Sequence, residues 1–369
     1  MAFSGAFSVA LLASLLVALV IIYTKNIHGH LTLDSQAGVQ KLHKTPTPRV
    51  GGIALLFGAV IGGVNLPPDA FALWAMICVS ALPAFVSGLL EDVTKRVSVK
   101  ARLLATICSG LIFCLLTGYQ ITHVDIPGLD LVFSFWLPSL LFTAFAIGGI
   151  ANAVNIIDGV NGLASGTSII ILSGFAIVAW GVGDMAIAGA CFVSIGALSG
   201  FFLLNFPMGR LFLGDAGAYT IGFILAVIAV ALPQRNPELS PLIGLLALSY
   251  PVIETMISVQ RRVSREGSNP GQPDRLHLHS LIYRSRAKRL ADRLGAPQLR
   301  NALTGLMLMG LPVLSSALMI VFQKDSVWII GSFAFVMLVY VVFYRKLALL
   351  RPLFAALRKS AVMPERKGA

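Results

Sequence analysis

Long apolar runs recur through most of this chain, and they decide what it can fold into. They lie near residues 3–24, 50–66, 70–90, 101–119, 133–151, 163–182, 185–205, 216–233, 239–259, 299–322 and 326–345. A helix needs about 20 apolar residues to cross the roughly 30 Å hydrocarbon core of a bilayer. Each run reaches or approaches that length, the glycine-rich 50–66 least. Charged residues make up 12% of the sequence and hydrophobic ones 57%, where a soluble domain carries about 25% charged residues. The expected fold is an all-α polytopic integral membrane protein of about eleven transmembrane helices. Residues 1–345 then form a single transmembrane domain and 346–369 a basic tail. No basic segment precedes the first run, so it reads as a retained span and not a signal peptide. Residues 121–131 alternate around Pro127-Gly128 and predict a short surface hairpin.

The polar loops then fix an orientation. Lys and Arg concentrate on the cytoplasmic side of membrane proteins. With the N-terminus outside, the loops 25–49, 91–102, 152–162, 206–215 and 260–298 and the tail all fall in the cytoplasm. Every Lys and Arg lies on or beside that face except Arg235 and Lys324, while Asp69, Asp125, Asp130, Asp184, Glu238 and Asp325 lie outside. The expectation is therefore N-out and C-in. The net charge of +12 is spread over loops beside spans, which suits anionic lipid headgroups and not nucleic acid. Cys78, Cys108, Cys114 and Cys191 fall inside spans with no CxxC pair, so they read as small packing residues.

Ionisable residues near membrane depth are costly and mark candidate sites. Glu91-Asp92 is an adjacent acidic pair followed by Lys95, Arg96, Lys100 and Arg102. Such a pair can hold a divalent cation, and the bases suit a phosphate; an ordinary interfacial loop is the plainer alternative. In NAVNIIDGVNGLASG, Asn152, Asn155 and Asp158 recur every third residue and share a helix face. A polar turn would explain the Asn-Gly pair but not two amides inside an apolar run. Asp215 sits between Gly214 and Gly217 just before a span, as a helix cap or a metal ligand. Phe212 nearby is a candidate for stacking on a base. Arg275, His277 and His279 of PDRLHLHS suit anion binding or hydrogen bonding better than a transition metal, given the basic loop. His43, Lys44 and Arg49 flank Pro- and Gly-marked turns and suit phosphate or topology equally. Hard oxygen ligands together with Lys and Arg suit phosphoryl transfer. No GxxxxGK[ST] segment is present, which argues against an ATP-driven pump.

From about residue 41 to 285 the ordered segments KTPTPRVGG, GLLEDVTKRVSVKARL, NAVNIIDGVNGLASG, RLFLGDAG and PDRLHLHS resemble the polyprenyl-phosphate N-acetylhexosamine-1-phosphate transferases, glycosyltransferase family 4. The resemblance implies a ten- or eleven-span enzyme of the bacterial cytoplasmic (inner) membrane with its active site facing the cytoplasm. It implies transfer of a sugar-1-phosphate, GlcNAc-1-phosphate foremost, from a UDP-N-acetylhexosamine to undecaprenyl phosphate. UMP is released, and Mg²⁺, or Mn²⁺ in its place, is the cofactor. By motif position it makes Asp215 the metal ligand and Glu91, Asp92 and Asp158 catalytic. Lys44, Lys95, Asn152, Asn155, Asn161, Phe212, Arg275, His277 and His279 become substrate-binding residues. It further implies membrane lipids as partners, and a homodimer is one assembly to expect.

The chain departs from that family at three places. Glu91-Asp92 replaces an Asp-Asp pair, Asn161 stands where many members have Asp, and His277-Leu278-His279-Ser280 lacks the triple histidine of the lipid I-forming enzyme. Those departures favour an initiating transferase for O-antigen, capsule, teichoic-type polymer or exopolysaccharide. Chemically, the lipid phosphate can attack the β-phosphorus directly, or a carboxylate can form a phospho-enzyme. The alternatives from other classes are a secondary transporter of an anionic metabolite, for which Glu254 would be the main intramembrane acid, and a non-catalytic membrane scaffold.

Overall fold

The computed structural model describes residues 3–34, 46–263 and 276–361, with side chains through residue 348. The chain is an all-α polytopic membrane protein. α1 (Ser4–Tyr23) and the short α2 (Lys25–Thr32) lead into a two-residue strand β1 (Leu33–Asp34), which pairs antiparallel with β2 (Thr47–Pro48). There follow α3 (Gly51–Gly63), α4 (Pro68–Thr94), α5 (Val99–Thr117), α6 (Pro127–Phe133), α7 (Trp136–Ile157), α8 (Leu163–Gly181), α9 (Met185–Asn205) and α10 (Gly214–Arg235). The remaining helices are α11 (Ile243–Ala247), α12 (Ser249–Val263), α13 (Leu278–Ile282), α14 (Lys288–Arg293), α15 (Arg300–Leu308), α16 (Gly310–Phe322) and α17 (Ser326–Ala361). A π-helical turn, Tyr283–Ala287, joins α13 to α14.

Among the described residues, 9 helical segments are long and apolar enough to cross a membrane, with α15 and α16 continuous in one of them. Two of the expected spans fall short of that length. α3 has 13 residues, and the run at 239–259 is divided between α11 and α12 at Leu248.

The expected hairpin at 121–131 is a correction: Pro127 opens α6 instead. Its fixed φ suits a first helical turn, and the Asp130 carboxylate accepts from the Val124 amide at 2.6 Å. The polar loops are also shorter than expected, because helices carry their polar ends further. α4 runs to Thr94, α5 begins at Val99, and α7 runs to Ile157. Asn152 remains helical because its amide donates to Gly148 O at 2.8 Å and Thr106 Oγ1 at 3.0 Å.

α10 is the hub. Its apolar window is 100% buried inside the protein, against 28% for α1 and 22% for α17. It packs on α3, α4, α5, α7 and α8, so an apolar helix with no polar face is explained by burial on every side. Peripheral helices instead present Leu12, Leu16, Leu104 and Trp328 outward, as surfaces in lipid do. Helix packing in a bilayer relies on close backbone approach at small residues. α9 meets α1 in that way, since a Cβ on Gly196 would lie 2.4 Å from Phe7 O.

With 22 residues, α10 is roughly 33 Å long and links two polar layers. At its C-terminal end Arg235 donates to Asp184 through Nε at 2.6 Å and Nη2 at 3.1 Å, and Asn236 adds a bond at 3.0 Å. Burial opposes charge on Asp184, but Arg235, the Ile187 amide and Asn236 hold its carboxyl below the usual range. Arg235, an exception to the charge pattern, is thus neutralised by a buried partner. The candidate functional residues gather at the other end.

Candidate functional site

The site is built around the N-terminus of α10, where the first helical amides lack partners within the helix. Asp92, in the last turns of α4 and 0% exposed, supplies them. Its Oδ1 accepts from Asp215 N at 2.9 Å and its Oδ2 from Ala216 N at 3.0 Å. A carboxylate at a helix N-terminus also meets the positive end of the macrodipole. The close approach depends on small residues. A Cβ on Gly88 would lie 2.5 Å from Ala216 N. One on Gly214, where φ is +73°, would lie 2.2 Å from Arg49 O and 2.5 Å from Asp92 Oδ2.

Arg49 enters from the other side. Its backbone is fixed by Arg49 N donating to Thr32 O, and the adjoining chain pairs with the loop before α10 through Phe212 N to Pro48 O, Gly51 N to Phe212 O and Gly52 N to Leu213 O. The guanidinium then bridges two carboxylates, with Nε 3.3 Å from Asp92 Oδ1 and Nη2 3.1 Å from Asp215 Oδ1. Burial works against its charge, but Asp92 and Asp215 outweigh burial and raise its pKa further. Arg102 of α5 donates to the second Asp215 oxygen, and Asn155 of α7 donates to Oδ1 at 3.2 Å. Asp215, 6% exposed, is therefore held by two guanidinium groups and an amide from three segments.

Asp158 caps the end of α7. Its pKa is pushed up to about 7, first by burial, with Arg49 pulling it down and Asp215 and Asp92 pushing it up. The four groups thus share one electrostatic field. The chain after Asp158 is tied to the loop before α10: Gly162 N donates to Asn205 Oδ1 at 2.6 Å, and Asn205 Nδ2 donates to Leu211 O at 2.8 Å. His279 completes this edge, with its Nε2 2.3 Å from where a Gly159 Cβ would be. Its ring stacks on His277 at a centroid distance of 5.4 Å.

Of the residues singled out in the sequence, the structure brings Asp92, Asn155 and Asp215 into direct contact and sets Asp158 beside them. His279 lies against Gly159. Glu91 is half-buried and accepts from Val97 N at 2.9 Å. Lys95 ends α4 in a left-handed conformation, φ 56°, and its Nζ donates to Asp92 O. Burial and the nearby Arg49 lower its pKa, against the pull of Asp92, Asp34 and Glu91. Phe212 is half-buried in the loop before α10.

Two residues are otherwise engaged. Asn152 bonds Thr106 and Gly148 instead of joining Asn155 on Asp215. Asn161 bridges loops, its Nδ2 donating to Pro207 O at 3.0 Å and its backbone amide to Asn301 Oδ1 at 2.6 Å. Lys44 and Arg275 lie outside the described residues.

Arg49 and Arg102 were visible only as bases within motifs, with nothing to rank them above Arg96 or Lys100. Glu254 is also at the site's margin and not free: it accepts from His277 Nδ1 at 2.9 Å and from Tyr340 OH at 2.6 Å. Among the described residues no group of three or more His, Cys, Asp or Glu could hold a metal ion. Mg²⁺ often takes only one or two carboxylates and completes its shell with phosphates and water. Asp215 offers hard oxygens of the kind that mode uses, and in this structure Arg49, Arg102 and Asn155 hold them.

A cluster of carboxylates and guanidinium groups at one end of an apolar bundle suits a substrate whose charge is phosphate and whose body is lipid. Comparison with known proteins agrees. Residues 74–233 match the model of glycosyl transferase family 4. The chain is 27% identical over 334 residues, 90% of its own length and 89% of the relative's, to a protein of Bacillus subtilis named "Probable undecaprenyl-phosphate N-acetylglucosaminyl 1-phosphate transferase". It is 30% identical over 265 residues to the undecaprenyl-phosphate alpha-N-acetylglucosaminyl 1-phosphate transferase of Yersinia pestis, covering 69% of this chain and 70% of that one. A phospho-N-acetylmuramoyl-pentapeptide-transferase of Clostridium perfringens is 30% identical over 227 residues, 58% of this chain and 68% of that one. By these similarities the protein belongs to glycosyl transferase family 4.

Proposed function

We propose that the chain transfers an N-acetylhexosamine-1-phosphate, GlcNAc-1-phosphate foremost, from a UDP-sugar to undecaprenyl phosphate and releases UMP. The reaction is the first membrane step of a cell-envelope polysaccharide, on the cytoplasmic face of a bacterial inner membrane. The observation that carries this reading is the convergence of Arg49, Arg102, Asn155 and Asp215 on the capped N-terminus of α10. The printed names of the relatives support it.

In the reaction a lipid phosphate oxygen attacks the β-phosphorus of the donor. A new P–O bond forms, the bond to the bridging oxygen breaks, and UMP departs with the electron pair. The lipid phosphate is largely dianionic at pH 7, its second pKa being about 6, so a strong base is not required. Arg49 and Arg102 neutralise charge on the transferring phosphoryl group. Asp158, with a pKa of about 7, takes up a residual proton. Both Asp92 oxygens are committed to α10, so Asp92 positions Asp215 and Arg49. Glu91 stands one residue away, where it can orient the incoming lipid phosphate. Asp215 would hold Mg²⁺, which when bound supplies Lewis-acid stabilisation of phosphate charge.

The transporter alternative predicts polar residues in mid-span; Glu254, its main intramembrane acid, is tied to His277, Leu278 and Tyr340. The test is UMP release by purified protein from a panel of UDP-N-acetylhexosamines. Release that needs both undecaprenyl phosphate and Mg²⁺, and stops on chelation, is expected. No release from any donor, or release indifferent to the lipid, overturns the reading. Steady exchange of labelled UMP into donor without lipid would replace direct attack by a phospho-enzyme.

A further inference from the structure

Glu254 is 0% exposed in α12. A buried carboxylate there is costly unless its lone pairs are satisfied, and three groups satisfy it. Tyr340 OH of α17 donates to Oε2 at 2.6 Å, His277 Nδ1 bonds Oε1 at 2.9 Å, and Leu278 N approaches both oxygens at 3.3 and 3.4 Å. Tyr340 is itself 0% exposed. One turn further along α17, Tyr344 OH accepts from Arg261 at 2.8 Å, and the same Arg261 nitrogen donates to Leu276 O at 3.2 Å. The segment that carries the histidines is thus clamped between α12 and α17, far in sequence from the acidic motifs.

The chemistry of this clamp is specific. An ionised carboxylate only accepts, so His277 Nδ1 must carry the hydrogen. When the ring is neutral, Nε2 is left as an acceptor, and when protonated it is a donor pointing away from Glu254. The carboxylate therefore sets both ring orientation and tautomer. Through its parallel stack with His277, His279 is held with Nε2 against Gly159, beside Asp158.

We propose that Tyr340 and Glu254 are positioning residues of the transferase site, a relay from the last helix that fixes the tautomer of His277 and seats His279 against the Asp158–Gly159 turn. The activity part of this inference rests on the proposed function, because it takes His277 to contact the phosphates or sugar.

Two measurements test it, one without substrate. Solid-state NMR of ¹⁵N-histidine-labelled protein in bilayers, with His277→Ala identifying the resonances, reads the tautomer directly. The expected result is a His277 protonated at Nδ1, and a mixed population in Glu254→Gln, where one amide oxygen must serve three donors. A wild-type His277 protonated only at Nε2, or a signature unchanged in both Glu254→Gln and Tyr340→Phe, overturns the relay. The second measurement is kcat/KM for UMP release in Tyr340→Phe, His277→Ala and the double variant. Tyr340→Phe is expected to lose about tenfold alone and less than twofold when His277 is already Ala. Equal losses in both backgrounds would mean that Tyr340 acts on helix packing and not through His277. An inactive wild type would count against the proposed function alone, since the NMR result still decides the relay.

Discussion

Asp92→Asn separates a chemical role for this carboxylate from a structural one. The substitution keeps shape but replaces one acceptor oxygen by an NH₂ group. One of two backbone donors, Asp215 N at 2.9 Å or Ala216 N at 3.0 Å, then faces another donor in a site with 0% exposure. A buried donor left unsatisfied costs about 1–3 kcal/mol. The Arg49 Nε contact at 3.3 Å also loses its countercharge. Arg49 keeps Asp215 and is part-exposed, so that loss adds only about 1 kcal/mol. The sum is about 2–4 kcal/mol, drawn from the contacts that set the start of α10. Thermal unfolding in detergent should fall by several degrees. UMP release should fall by at least tenfold, because Asp215 and Arg49 shift together. A variant with the wild-type unfolding midpoint and activity reduced a thousandfold would refute the capping argument and return Asp92 to the chemistry. A variant indistinguishable from wild type in both assays would refute its role altogether.

Three further outcomes follow from the same contacts. Gly214→Ala puts a Cβ at φ +73° and 2.2 Å from a backbone oxygen; the left-handed backbone costs about 1–2 kcal/mol, so lower stability and activity are expected, whereas Gly149→Ala, with nothing within 4 Å, should retain both. Asp158 has a folded pKa of about 7, raised above its unfolded value, so the folded state binds more protons between about pH 4 and 7; its contribution to stability falls as pH rises through that window, and Asp158→Asn should flatten the decline in a pH series of unfolding midpoints. Asp184→Asn removes the buried carboxylate that the part-exposed Arg235 pairs with at the far end of α10; Arg235 can turn to solvent, so the loss is that of the buried hydrogen bonds, about 1–3 kcal/mol, while kcat/KM per folded molecule stays within threefold; a much larger kinetic loss would show that this pair reaches the site.

The membrane class was legible because the signal is compositional: apolar runs of span length have few other uses. Asp92, Asp158 and Asp215 were legible as candidates because a carboxylate at the edge of an apolar run stands out. Their division of labour was not. Nothing in GLLEDV distinguishes a residue that caps another helix 123 positions later from one that faces substrate. Asn152 and Asn155 share a face by spacing, yet the three-residue step along α7 leaves one on Thr106 and the other on Asp215. Asn161 bonds Pro207 O and, through its backbone amide, Asn301 of α15, partners 46 and 140 positions away that no local spacing announces.

The sequence by itself determined the all-helical membrane fold, the positions of most spans and the segments where polar chemistry concentrates. Those follow from transfer free energies summed along contiguous residues, which a local reading captures. Only the tertiary structure decided that Arg49 and Arg102 are the cations on Asp215, that Asp92 belongs to α10, and that Tyr340 reaches the histidine segment through Glu254. Hydrogen bonds and ion pairs act over a few ångströms and join residues tens to hundreds of positions apart. Their partners are therefore set by how the helices pack and not by any spacing within one segment.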